Sequence, residues 1–371
     1  MRVGRCSSWC TRQCTPVHHT PTTEQRSTVD DLSMTTPAEI TSVPTGSDMT
    51  SSAGFYFQCA VVFIGIVGTA ANALILYAMV VSKQHKKHVL VFNQNALDLY
   101  SCVFLVITYV VKLCNIHLSG SLGYWLCIIL LTENLLYLGI VGSIINLAIV
   151  TVERYLKVVH AVWSKKKLRH WIIYSAAAFS WLSAVIYITA VNFRTLADID
   201  GVCYETIIWK SHVGLIHEIW QSVLVYVVML LLFIFCYGRI LMTVRRQAGL
   251  LARYSSARGR STSQTQSNKI QSSIVKTTVI VSSLFAITWM PYNILYVLMK
   301  LDSNLPLLED AYCAVLFISF LYICANPFIY ATKFDPVRRV LLSLIPCKKT
   351  DEEENKNVEN IRTRSAATRM N

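Results

Sequence analysis

A polar side chain inside a long apolar run is costly and persists mainly where it is used, so such residues are the first place to look for chemistry. Asp98 stands in the middle of one such run, in NQNALDL, and Glu153 with Arg154 stands at the end of another, in VERY. A carboxyl alone in a low-dielectric medium is expensive to ionise and needs a cation or converging hydrogen bonds. An Arg beside a Glu has its counterion at hand, which lowers the cost of a guanidinium near a membrane boundary. Trp289 with Pro291, in FAITWMPY, and Asn326 with Pro327, in NPFIY, interrupt two further runs. A Pro there removes a backbone hydrogen bond and makes a hinge. Ion binding, ion pairing and hinge motion are thus the chemistry on offer. No HExxH, GxSxG or paired intramembrane Asp motif occurs in the sequence, so the expectation is that the chain is not an enzyme. Cys6, Cys10 and Cys14, with His18 and His19 nearby, fit no standard zinc spacing.

The elements that must position these residues follow from composition. Of 371 residues, 54% are hydrophobic and 15% charged, where a soluble domain carries about a quarter charged residues. The apolar residues fall in seven runs, at about 55–82, 89–111, 125–152, 171–191, 216–242, 274–299 and 311–333. Each is long enough as a helix to cross about 30 Å of hydrocarbon. Backbone amides cannot go unpaired in lipid, and the ten-residue alternation of barrel strands is missing, so the runs are expected to be helices. The fold class is an all-α membrane protein, a seven-transmembrane-helix bundle with a short amphipathic C-terminal interfacial helix. With the N-terminus outside, the exterior holds 8 of the 34 Lys and Arg residues, the expected cytoplasmic excess. The net charge of +13 therefore reads as a topology signal and not as a nucleic-acid surface. A multi-pass plasma-membrane protein with an extracellular N-terminus and a cytoplasmic C-terminus is the expectation.

Four segments follow. Residues 1–54 are rich in Ser and Thr, contain four Pro and no Asn, and read as a disordered extracellular tail without a glycosylation sequon. Residues 55–333 hold the seven helices. In 334–347, Phe334, Val337, Leu341, Leu344 and Ile345 share one helical face while Arg338 and Arg339 take another, the pattern of an interfacial helix. Residues 348–371 form a cytoplasmic tail. Cys347 beside Lys348 and Lys349 is a palmitoylation candidate. The segment 243–273 is Arg, Ser and Gln rich without apolar periodicity and reads as a mobile loop.

Taken together and in this order, the motifs resemble the rhodopsin-like (class A) family of G-protein-coupled receptors over roughly residues 55–347. Asn72 resembles the family's first-helix Asn, Trp181 its fourth-helix Trp, and Tyr237 the fifth-helix Tyr that turns inward on activation. The resemblance implies that Glu153, Arg154 and Tyr155 couple to a heterotrimeric G protein, with Tyr237, Asn326, Pro327 and Tyr330 in the activation switch. It implies that Ile144, Phe285, Trp289 and Pro291 transmit agonist binding. Arrestin and receptor kinases are the further partners it implies. An allosteric sodium ion at Asp98 and Ser143 is implied as well, although the positions three and four before Asn326 are Ile323 and Tyr322 where the family is usually polar. Relatives often hold the Arg through an acid on the sixth helix, and counting twenty back from Pro291 gives Gln271. A neutral amide holds Arg more weakly, so raised basal signalling is expected. The fifth-helix Pro expected eight before Tyr237 is Met229. The family disulfide falls to Cys127 and Cys203. Cys127 stands 27 residues before Arg154, two more than most members show, so the third helix carries an irregularity or Cys114 or Cys313 competes.

For the ligand, the amine-binding acid eighteen before Arg154 is replaced by Leu136, and counting from Cys127 gives Asn134, with Glu133 adjacent. Phe320 stands where an opsin needs its Lys, which rules out a retinal Schiff base on this alignment. The outer segments carry Asp198, Asp200, Glu205, Glu218, Asp302, Glu309 and Asp310 against Arg194, Lys210 and Lys300. An acidic mouth steers cations inward. With Tyr292, Asn293 and Tyr296 toward the expected pocket, a basic peptide is the leading ligand class and a small amine the alternative. A transporter or channel would show paired broken helices or a polar pore stripe, and neither is seen.

Overall fold

The computed structural model describes residues 43–44, 52–114, 120–191, 195–199, 202–206, 211–254, 262–301 and 307–344. Side chains are described at 54–114, 121, 123, 125–127, 129–189, 225–247, 275–298, 311–334 and 337–344. Within them run α1 (Ser52–Val81), α2 (Val89–Leu113), α3 (Gly120–Leu126), a π-turn (Cys127–Leu131) and α4 (Asn134–Val159). There follow α5 (Ala161–Lys167), α6 (His170–Val191), α7 (Ser211–Tyr254), α8 (Thr262–Leu301), α9 (Leu307–Lys333) and α10 (Asp335–Ser343). Seven of these, α1, α2, α4, α6, α7, α8 and α9, are long and apolar enough to cross a membrane. The lipid-side character is visible in what they leave outside: Phe63, Ile66, Phe179, Leu182, Ile234 and Ile287 are all exposed. An apolar surface of that extent needs an apolar solvent.

The inward stripes of these helices meet in one core that includes Leu136, Ile140, Ile144, Leu147, Phe285, Trp289, Phe320 and Tyr322. Small residues let α2 and α4 approach closely. A Cβ on Gly139 would clash with Ser101 Oγ, and one on Gly142 would sit 2.7 Å from a Leu97 methyl. That approach brings the polar faces of α2 and α4 into hydrogen-bonding range.

Three features differ from the sequence reading. The expected loop at 243–273 is largely helical, because α7 runs to Tyr254 and α8 starts at Thr262. Arg, Gln, Ala and Leu propagate a helix already nucleated in the membrane. Missing periodicity there reflects the lack of a packing face, not the lack of a helix. Secondly, the all-α core carries a small antiparallel sheet, β2 (Thr195–Ile199) against β3 (Val202–Thr206), with β1 (Val43–Pro44) on the other edge of β3. An Asp-Gly pair between two short runs is a strong hairpin signal, and part of the N-terminal tail is thereby paired. Thirdly, the third spanning helix is not one helix from 125 to 152. It is broken at the π-turn and at Glu133, then continues to Val159. The remainder of the N-terminal tail, including Cys6, Cys10, Cys14, His18 and His19, and residues 345–371 with Cys347, lie outside the described residues.

α10 follows α9 after Phe334, with Pro336 in its first turn where a missing N–H costs nothing. Phe334 and Val337 are buried, Arg338 and Arg339 exposed, as expected for a helix lying along the bundle.

Candidate functional site: a polar axis from the outer mouth to the inner end

At the outer end, Thr132 and Glu133 separate the π-turn from α4, and Glu133 adopts a left-handed backbone, φ 61°. The two extra residues anticipated above Arg154 are absorbed here. Glu133 forms an ion pair with Lys112 of α2, their side chains 12% and 21% exposed. The Lys112 ammonium also lies 4.8 Å from the Tyr109 ring centroid. Tyr292 stacks with Tyr296 at 5.9 Å and meets Tyr312 at 5.8 Å. Asn293 turns back, donating to the Trp289 carbonyl at 2.8 Å. Asn134 begins α4 beside Glu133. Cys127 and Cys313 each take part in a disulfide, while Cys114 is free and so drops out as a competitor. The Cys203 side chain and the acidic mouth residues lie outside the described side chains.

Next to these residues Trp289 lies 5.7 Å from Tyr292 and 6.3 Å from Phe285. Phe285 in turn meets Phe233, Tyr226 and Tyr322 at 5.6 to 5.9 Å, and Ile144 packs in the same core. Pro291 lies inside α8, and two carbonyls near it accept from side chains of neighbouring helices. Tyr226 donates to Ala286 O at 2.7 Å and Ser319 to Thr288 O at 3.2 Å. α7 passes Met229 without a break.

Asp98 is fully buried. Its Oδ1 accepts from Ser143 at 2.6 Å and from Gln94 at 3.5 Å, and its Oδ2 accepts from Asn326 at 2.8 Å. Pro327 leaves the carbonyl of Ile323 without its helical N–H. Asn72 of α1 donates to that carbonyl at 3.2 Å, which explains why the first helix needs a buried amide. Trp181 donates to Asn93 Oδ1 at 2.9 Å.

At the inner end Arg154 Nη2 lies 2.9 Å from Glu153 Oε2, and Lys157 also pairs with Glu153. Arg154 and Glu153 are 4% and 7% exposed. Tyr237 turns toward α4 and α8, with its hydroxyl 3.0 Å from Thr151, 2.7 Å from Ser282 and 3.1 Å from Thr278 O. Tyr155 contacts Phe235 of α7 at 5.8 Å. Tyr330 is buried in the core. The backbone of Gln271 lies in α8, and its side chain lies outside the described residues. His88 stands just before α2 and meets Phe334 edge to face at 5.2 Å. Burial, then nearby Arg154, lowers its pKa from 6.5 to about 4, although Glu153 acts the other way.

Sequence reading missed Lys112, Gln94, Thr151 and Ser282 as partners. Gln94 had a usable signal, since it stands one turn before Asp98 on the same face.

Residues 71–330 match the family described as 7 transmembrane receptor (rhodopsin family). The somatostatin receptor type 5 of Bos taurus is 28% identical over 297 residues, covering 76% of this chain and 74% of that receptor. The human C-C chemokine receptor type 8 is 26% identical, covering 81% and 83%, and galanin receptor 2a of Danio rerio is 20% identical, covering 76% of each. Squid rhodopsin superposes with a TM-score of 0.65 at 17% identity, over 86% of this chain and 96% of that one, which speaks for the fold alone. With that family's model matched over residues 71–330, this chain belongs to the rhodopsin family of seven-transmembrane receptors.

Proposed function

We propose that this receptor recognises a cationic peptide at its outer end and activates a heterotrimeric G protein at its inner end. The reading places the chain in the plasma membrane, N-terminus outside. Its relatives are receptors for somatostatin, chemokines and galanin, all peptide ligands. The observation that carries the ligand class is Glu133, a carboxylate largely shielded from solvent and paired with Lys112, which lies over the Tyr109 ring. A ligand cation would take the place of Lys112 there, and the acidic outer segments would steer it inward. On the inner side, Arg154 would leave Glu153 to meet the G protein, with Tyr155 beside it. Arrestin and receptor kinases are proposed as partners of the Ser/Thr-bearing cytoplasmic tail, and Cys347 as its lipid anchor. Gln271 in place of an acid would leave the inactive state weakly held.

The test is nucleotide exchange on a panel of heterotrimeric G proteins by reconstituted receptor, challenged with basic peptides, acidic peptides and small amines. Exchange driven by basic peptides and weakened in Glu133→Gln supports the reading. A response confined to small amines would replace the peptide by the second reading, which the same carboxylate favours. A response confined to acidic peptides would overturn both.

A further inference from the structure

The family resemblance leads one to expect sodium between Asp98 and Ser143, so the fit of the residues there matters. Hard cations take oxygen lone pairs. Here a nitrogen faces both prospective ligands. The Gln94 carboxamide nitrogen donates to Ser143 Oγ and lies 3.5 Å from Asp98 Oδ1.

The orientation of a carboxamide must be argued from its network, and this network is fixed at both ends. The Trp181 indole can only donate, so the oxygen of Asn93 faces it at 2.9 Å. The Asn93 nitrogen is then left to donate to Asn146 Oδ1 at 2.9 Å. That leaves the Asn146 nitrogen for the Leu90 carbonyl, which can only accept, at 2.9 Å, and for Gln94 Oε1 at 2.8 Å. With its oxygen so engaged, Gln94 has only its N–H groups to turn toward Ser143 and Asp98. Gln94, Asn146, Asp98 and Ser143 are all fully buried, so no water competes to relax the arrangement. Reversing any one amide would set two acceptors or two donors against each other at once.

We infer that the Gln94 carboxamide is a tethered stand-in for the cation, with its N–H dipole at the Asp98–Ser143 pair, and that the site is closed to sodium in this receptor. A sodium ion entering between the two oxygens would meet the positive end of an amide that cannot turn. The same three-helix bracing that an ion would supply is given by α2, α4 and α9 through covalently attached groups, independent of ionic conditions.

The experiment measures thermal unfolding of the purified receptor in sodium chloride and in N-methyl-D-glucamine chloride at equal ionic strength. No ligand is needed. Wild type is expected to unfold at the same temperature in both salts. Gln94→Met keeps the volume and removes the dipole, and is expected to gain a sodium-dependent rise of about 2–4 °C. Adding Asp98→Asn to that variant should abolish the rise. Gln94→Ala serves as a second opening variant. A sodium-dependent rise in wild type that Asp98→Asn removes would overturn the proposal, and this arm needs no Gln94 variant to fold. Two folded Gln94 variants without any sodium response would overturn it as well.

Discussion

Asn72 of α1 reaches the backbone of α9: Pro327 withholds an N–H from Ile323 O, and Asn72 supplies one at 3.2 Å. Asn72→Ala should therefore strand a buried carbonyl. A neutral hydrogen bond contributes about 0.5–1.5 kcal/mol net, and interhelical bonds in membranes average about 0.6 with a maximum near 1.7 kcal/mol. The Cys102 thiol remains 3.9 Å from the same oxygen as a weak partner. A cost of about 1 kcal/mol for the bond is the expectation, with a further contribution from the lost side-chain volume. In a Pro327→Ala background the helix regains its own N–H to Ile323 O, so the bond part of the Asn72→Ala cost should vanish while the volume part stays. The double-mutant cycle isolates the difference. Reversible unfolding of wild type, both single variants and the double variant in mixed micelles gives the four free energies. A coupling energy below about 0.3 kcal/mol, within the error of additivity, would refute the account of why Asn72 is there.

Arg154→Ala should abolish nucleotide exchange while leaving surface expression largely intact; exchange at wild-type rate, measured with purified G protein, would remove Arg154 from the coupling role. Glu133→Gly should be more stable than Glu133→Ala by about 1 kcal/mol, because both lose the Lys112 pair but only Ala keeps the left-handed strain; equal unfolding midpoints would contradict it. His88 is held neutral with a pKa of about 4, so the unfolded chain binds its proton first. The prediction is that stability falls as pH drops from 6.5 toward about 4 and that His88→Gln flattens that part of the stability–pH curve. Gln271→Glu should quiet ligand-free signalling, tenfold for about 1.4 kcal/mol regained, compared with Gln271→Ala at matched surface density.

Much of the architecture was legible because lipid demands it. A run such as 171–191 has no option but a helix, and the structure ends α6 at Val191. The inner ends were less legible. Nothing in the pattern of Arg245, Arg246 and Gln247 marks a helix, since hydrophobic periodicity reports a packing face and these turns extend past the bundle. The buried polar sites were found singly and not as a network: Asp98 stands out in an apolar run, whereas Gln94 is read as an ordinary polar residue until its partners on α4, Ser143 and Asn146, are seen. The spacing of Cys127 and Arg154 left open an irregularity in the third helix or a competing cysteine, and the form of the break above Asn134 depends on backbone torsions that spacing does not carry. Left-handed Glu has no sequence signature comparable to Gly or Asn.

That break between Leu131 and Asn134 also sets how the receptor can vary. Each residue of an α-helix turns about 100°, so two additional residues in an unbroken helix would swing everything above them by roughly 200°. Cys127 would then face away from the position from which it makes its disulfide. A wide turn and one left-handed residue take up that phase error within a few residues. The segment above can thus change length while Ser143 and Asn146 keep their azimuth toward α2 and Thr151 toward α7. The Glu133 end and the Arg154 end are carried on one helix, yet the length of the segment before Glu133 does not set the azimuth of the residues after it.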